Sequence, residues 1–351
     1  MSTIILLGNG FDLKSGLISS YKSFFDWYSN RYNTDFRYWH HLSKSNGLPL
    51  TIKLDEKTTV WNYYFITQQI NLNQNWSDIE KEILESMNSF WVETLDLINV
   101  INNNSFSKTP SPAHNNLKLA NEIIDKYFPH IKNRFFSTLP LEYRRSLEGS
   151  DKISTTEFFE ILLIELKLFE NQFGQFIKDC IEICPEYLEN QKKLLIRILD
   201  KTTKNGIGDT KILTFNYTSL PSQALNLHGK VEDQPIFGIN ESSNSNKDLV
   251  VFTKRYRREE SNLNMIGEFI ESDEDHSIIF YGCSLNDMDY DYYETVLNWN
   301  QNKKIYFCYS NYDNSDRKME QVRLAKKLID KARNNKFNIM RERNQIQFIE
   351  I

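Results

Sequence analysis

The sequence predicts an α/β protein in which an open parallel sheet is interrupted by a long helical segment, and three observations predict it. Ile4-Ile5-Leu6-Leu7 is an unbroken apolar run that ends in Gly8-Asn9-Gly10, and Ile278-Ile279-Phe280-Tyr281 repeats the pattern into Gly282. Apolar runs without alternation are what strands buried on both faces require, and such strands belong to parallel sheets. Between these two runs, about 150 residues carry helical periodicity and no convincing strand. The chain therefore divides into 1–44, the first part of an α/β domain; 45–203, an inserted helical domain; and 204–351, the second part of the α/β domain.

Each element follows from its local pattern. Tyr21, Phe24, Phe25, Tyr28 and Tyr32 recur at helical spacing, which predicts one or two helices up to about residue 42. A loop with Gly47 and Pro49 precedes a helix at about 58–71. Ser77 and Glu80 stand in capping-box register ahead of an amphipathic stretch, Ile79, Ile83, Met87, Phe90, Trp91, Leu95 and Ile98, that ends at the Asn-rich 102–104. A further helix covers about 113–135. Ser154 and Glu157 form a second capping box opening a helix through Cys180, which Pro185 stops. Strands return as 211–218, 224–229, 235–238, 277–282 and 305–309, with an alternating edge strand at 345–351 and a helix at about 315–333. Asp248–Phe252 is either extended or helical.

Composition excludes several function classes. A net charge of −5 argues against a general nucleic-acid coat, which needs a broad basic face. The longest apolar runs are about five residues, short of the ~18 a membrane helix needs, and the start lacks a basic leader. A cytoplasmic protein without membrane contact is expected. Cys180, Cys184, Cys283 and Cys308 form no CxxC pair, and the histidines have no partner at ligand spacing, so no metal is expected.

The strongest local signal is the turn Gly8-Asn9-Gly10-Phe11-Asp12. Glycines after a buried strand let a phosphate approach the backbone, yet Leu13 stands where the dinucleotide fingerprint has its third glycine. A ligand-binding turn and a purely structural one both fit. Several later strands end in Asn, Thr, His, Gly or Ser, and in an open parallel sheet the ligand lies beyond those ends.

Together these motifs carry a resemblance. Gly8-Asn9-Gly10-Phe11-Asp12 with Gly16-Leu17 and Ser20-Tyr21, then Trp76-x-Asp78-Ile79-Glu80, Thr214-Phe215-Asn216-Tyr217-Thr218, His228-Gly229, Phe237-Gly238 and Tyr281-Gly282-Cys283-Ser284-Leu285-x-Asp287-x-Asp289 resemble the bacteriophage abortive-infection AbiH family. A more distant resemblance is to the Rossmann-like, sirtuin-like NAD-binding fold. It implies that Asn216 holds ribose hydroxyls or a water, that His228 is the base, and that Ser284 lies near phosphate and ribose. Gly8 and Gly10 would face the phosphates, with Asn9, Phe11, Asp12, Thr214, Thr218, Gly282 and Asp287 completing the nucleotide site. Thr218 replaces the aspartate that contacts nicotinamide in sirtuins, and the paired zinc cysteines are missing, which argues against protein deacetylation.

The chemistry agrees with these residue types. Cleaving the nicotinamide–ribose bond of NAD releases a neutral leaving group, so a pocket fixing the ribose and one base near pKa 6.5 would suffice. A structural role for His228 and a strand-end cap for Asn216 are the plain alternatives. Asp12, Asp287 and Asp289 read as helix caps or as ribose acceptors, and Glu80 and Asp78 as a capping box or as the far side of a cleft. Lys254-Arg255-Tyr256-Arg257-Arg258, the only dense basic run, is a solvated face or a grip on phosphates. Two functions are expected: NAD hydrolysis that arrests the phage-infected cell, or nucleotide binding without hydrolysis by a module acting on nucleic acid or a phage protein. The trigger, and whether the chain self-associates, stay open.

Overall fold

The computed structural model describes residues 2–32, 57–65, 79–102, 114–127, 153–204, 206–207, 210–220, 224–240, 247–261, 263, 266–270, 276–285, 287–299, 304–311 and 317–351. Its centre is a six-stranded sheet of β1 (Ser2–Leu7), β2 (Thr210–Thr214), β3 (Ala224–Asn226), β4 (His276–Tyr281), β5 (Ile305–Tyr309) and β6 (Ile346–Glu350). The spatial order is β3-β2-β1-β4-β5-β6 and every pairing is parallel. This is the order of a doubly wound nucleotide-binding sheet, with its topological switch point between β1 and β4.

The apolar runs are explained by cover on both faces. Ile4 and Leu6 point to one side, where they join Tyr293, Val296 and Leu297 of α10 (Tyr290–Trp299) and Ala325, Leu328 and Ile329 of α11 (Arg317–Ala332). Ile5 and Leu7 point to the other, against Phe11 of α1 (Asn9–Lys14) and Leu194, Leu195, Ile198 and Leu199 of α7 (Tyr187–Lys201). Strand residues alternate sides, so adjacent isoleucines and leucines serve different cores. Further helices among the described residues are α2 (Tyr21–Tyr32), α3 (Ile79–Met87), α4 (Phe90–Asn102), α5 (His114–Tyr127), α6 (Thr155–Glu182), α8 (Lys254–Glu260), α9 (Ile266–Phe269) and α12 (Phe337–Glu342), and residues 60–65 are also helical.

By internal contacts the chain divides into two units, 1–27 with 170–245 and 253–351, and 28–169 with 246–252. The first holds the sheet. The second is built around aromatic packing, with Trp61 against Trp91 at 5.2 Å and Phe65 against Phe169 at 5.1 Å between ring centres. Its buried polar centre is Glu165, which accepts from Val60 N at 2.8 Å and Lys126 Nζ at 2.7 Å and also from the Tyr127 hydroxyl. Trp61 Nε1 meanwhile donates to the Leu162 carbonyl at 2.8 Å.

Local departures from expectation have local causes. The 79–98 stretch breaks at residues 88–89, where Asn88 and Ser89 turn their side chains onto the Leu84 and Glu85 carbonyls. Ser154 does cap its helix, accepting from Glu157 N at 3.1 Å. Residues 235–238 form no strand; the backbone there folds back, with Ile236 N on the His228 carbonyl at 2.8 Å. The undecided 248–252 segment is 3₁₀-helical. Ser77, Asp78, the 45–56 loop and the whole 128–152 region lie outside the described residues.

Candidate functional site

Four consecutive positions across the sheet, the ends of β3, β2, β1 and β4, deliver polar residues to one edge. At the switch point, two glycine turns interlock. Gly8 N donates to the Tyr281 carbonyl and Gly10 N to the Gly282 carbonyl, both at 3.0 Å, and Phe11 N donates to the Gly8 carbonyl at 2.8 Å. Gly282 has φ +69, and a Cβ there would lie 2.5 Å from Phe11 N; one on Gly10 would lie 2.7 Å from Gly282 Cα. The turns approach this closely because the contacting positions, Gly8, Gly10 and Gly282, carry no side chain. Three of the turn's N–H donors are thus committed to backbone carbonyls.

Just beyond, Asp12 is buried within a ring of donors. Tyr187 donates to Oδ1 at 2.8 Å, Gln191 Nε2 to the same oxygen at 3.4 Å, and Thr218 Oγ1 to Oδ2 at 3.0 Å. Burial raises its pKa from 3.8 to about 6, against the lowering effect of those hydrogen bonds. Asn216 stands beside it and its side chain lowers the pKa least of the four; no partner of Asn216 Nδ2 meets full hydrogen-bond geometry. Asn226 Oδ1 and Gln191 Oε1 share that condition. Asn226 fixes the turn after β2, its Nδ2 donating to the Asn216 and Thr218 carbonyls at 2.8 and 3.0 Å.

His228 follows β3 and is enclosed by Phe215, Tyr217 and Tyr292, with ring centres 5.4, 6.1 and 6.2 Å away. Its Nε2 lies 3.1 Å from Asp289 Oδ1, the oxygen that also accepts from Lys254 Nζ at 2.6 Å. Burial and the Lys254 ammonium push His228 down to about 4, although Asp289 opposes them, so the imidazole is neutral at pH 7. Asp289 is held well below the usual carboxylate range: burial raises it, but Lys254 and His228 outweigh burial. The expected pKa near 6.5 thus belongs more nearly to Asp12 than to His228. Burial, chiefly, and then Asp289 drive the Cys283 thiol far up, which leaves it a poor nucleophile.

Other sequence-derived candidates have plainer surroundings. Asn9 is exposed and accepts from the Ser19 hydroxyl at 2.6 Å. Phe11 is in the core, edge-on to Tyr281 at 6.3 Å. Thr214 Oγ1 accepts from Asn216 N at 3.0 Å. Ser284 is exposed, and Asp287 is exposed and paired with Lys327 at 2.9 Å. The basic run is not a solvated face: Lys254, Arg257 and Arg258 are 4%, 2% and 1% exposed. Arg257 grips Glu170, with NH2 on Oε2 at 2.8 Å, and Arg258 donates to the Asn226 and Leu227 carbonyls at 3.0 and 2.6 Å. Only Arg255 and Tyr256 of the run face outward.

A family model described as bacteriophage abortive infection AbiH matches residues 4–311. The chain belongs to the AbiH family. No curated protein and no solved structure matches it. In this AbiH-family protein the matched span takes in every residue of the strand-end cluster, from Gly8 to Asp289. Sequence reasoning missed Tyr187, Gln191 and Asn226, and it did not connect Lys254 and Asp289 to His228. For α7 a signal existed: Tyr187 and Gln191 share the register of Leu194, Leu195 and Ile198, so two polar groups sit on the face that must be buried. No helix among the described residues is long and apolar enough to cross a membrane.

Proposed function

We propose that this AbiH-family protein acts in defence against bacteriophage by binding a nucleotide at the strand-end cluster and hydrolysing its N-glycosidic bond, with NAD as the substrate. The observation that carries this reading is the unsatisfied Asn216 Nδ2, a buried donor beyond the C-terminal end of a parallel strand. A buried polar atom without a partner costs free energy unless a ligand or water meets it, and ligands of such sheets bind at these ends.

The departure at Thr218 also fits. Where the sirtuin-like pattern has a carboxylate, Thr218 brings one in by hydrogen-bonding Asp12 at 3.0 Å. In the reaction the C1′–N bond breaks, its electron pair leaves with nicotinamide, and water oxygen bonds to C1′. Asp12, ionised above pH 6, would face the positive charge that develops on the ribose; Asn216 would hold a ribose hydroxyl. His228 would take the proton from water on its second nitrogen while Asp289 fixes the ring and Lys254 keeps Asp289 ionised.

A second reading, nucleotide binding without hydrolysis, is favoured by the depth of Asp12 and His228, which are 2% and 5% exposed. Nicotinamide release from NAD, followed by chromatography alongside calorimetric titration, separates the two. Hydrolysis predicts release that falls roughly 100-fold in Asn216→Ala and in His228→Ala. Binding without release supports the second reading, and neither binding nor release at about 1 mM NAD, the weak limit of specific recognition, would remove both.

A further inference from the structure

At the opposite edge of the sheet, the segment from Arg317 to Arg343 holds ten Lys and Arg against three acidic residues, in a chain whose net charge is −5. Along α11, Arg323, Lys326, Lys327 and Lys331 lie on one outward stripe at helical spacing. Part of this charge is locally balanced: Lys326 pairs with Asp330, Lys327 with Asp287 and Lys331 with Glu294. Among the described residues, the side chains of Lys318, Arg323, Lys336, Arg341 and Arg343 make no hydrogen bond or ion pair.

Where α11 turns into α12 the surface is concave. A cavity of about 500 Å³ is lined by Arg333, Lys336 and Arg343 and by the amides of Asn298, Asn334 and Gln345, and among the described residues no carboxylate lines it. Ile339, half exposed at 50%, supplies an apolar wall. Positive φ angles at Asn334 and Asn335 make the corner tight enough to bring these groups together. Compensation of helix dipoles explains Arg333, which donates to the Leu297 carbonyl near the end of α10. It does not explain Lys336, the N-cap residue of α12, where the positive end of the helix disfavours a cation.

We propose that the α11–α12 corner docks the phosphate backbone of a single-stranded nucleic acid. Lys336 and Arg343, cations without carboxylate partners, suit phosphates, side-chain amides suit base edges or ribose, and the apolar wall suits the face of a base. A strand is favoured over a lone nucleotide because the basic surface extends along α11, whose 16 residues span about 24 Å. It is favoured over a duplex because the cavity admits one splayed nucleotide, which a strand offers and a stacked helix does not. This inference is independent of the NAD reading.

The test is fluorescence anisotropy of a labelled uridine-rich oligonucleotide with the full-length protein across a salt series. The expected result is binding whose affinity falls as salt rises, and a loss of about tenfold in the doubly substituted Lys336→Glu, Arg343→Glu protein. Each phosphate contact removed should flatten the log–log salt slope by ~0.7. Lys193→Glu, a charge change at an exposed position on α7, should stay within about twofold. Several results would overturn the proposal: no binding at low salt, equal loss in Lys193→Glu and the corner variant, an equal preference for duplex, or full displacement by adenosine triphosphate. Circular dichroism of each variant excludes misfolding, to which these exposed positions are not prone.

Discussion

Asp12→Asn separates the electrostatics of the candidate site from its packing. In the folded protein the Asp12 pKa is about 6 against 3.8 unfolded, so between those values the native state binds more protons than the unfolded state. Stability from this group is then present at low pH and lost as pH rises toward 6, to a total of about 3 kcal/mol at 1.36 kcal/mol per pH unit. Asparagine keeps the shape and cannot ionise, but its single oxygen can accept from Tyr187 or from Thr218 and not from both, since they donate to different oxygens of Asp12. Any hydrogen bond it weakens contributes an offset that is the same at every pH. His228 works in the opposite direction, with a folded pKa of about 4 below its ordinary 6.5, so its contribution is lost as pH falls from 6.5 toward 4. In the native protein these two slopes nearly cancel. Urea unfolding at several pH values should therefore give a flatter profile for the native protein than for the variant. Relative to the native protein, Asp12→Asn should gain about 2 kcal/mol between pH 4 and pH 7. A difference that does not vary with pH would refute the claim that burial holds Asp12 above its ordinary value.

Three further perturbations probe neighbouring parts of the design. Gly282→Ala should cost more than about 3 kcal/mol in thermal or urea unfolding, since it combines positive φ with a clash at Phe11 N; Gly16→Ala, strained but with no atom closer than 3.8 Å, should cost about 1 kcal/mol. Arg257→Met should destabilise by about 3–5 kcal/mol because Glu170 is left buried without its cation, and adding Glu170→Met should restore much of the loss; an equally unstable double variant would contradict that account. Lys254→Met should let the His228 pKa rise from about 4 toward 6.5, read by imidazole ¹⁵N shifts, and an unmoved titration would show that Lys254 does not depress it.

Much of the sheet was legible because its signal is local. Four-residue apolar runs ending in glycine identify β1 and β4, and the return of strands after residue 206 places their partners. What local patterns could not supply is pairing: that Asp289 faces His228, or that Tyr187 donates to Asp12 from 175 residues away, depends on long-range contacts. The glycine turn shows the limit from the other side. Its composition suits a phosphate, and the structure shows a second use for the same property, since Gly8 and Gly10 make room for Gly282.

The two basic segments show why charge density alone misleads. Residues 254–258 form the densest run, yet Lys254, Arg257 and Arg258 are spaced i, i+3, i+4 and so share one face of α8, and that face is buried. Their charge is met inside, by Asp289, by Glu170 and by backbone carbonyls, so they are part of the scaffold that holds His228 and the turn after β3. The segment 317–343 is more dilute, with apolar residues at Val322, Ala325, Leu328 and Ile329 between the cations. Those apolar residues claim the buried face and force Arg323, Lys326, Lys327 and Lys331 outward. The pattern of hydrophobic residues around a charge run, rather than the run itself, decides whether its cations meet solvent. By that criterion, of the two basic segments it is α11 with α12, and not α8, that turns its cations to solvent.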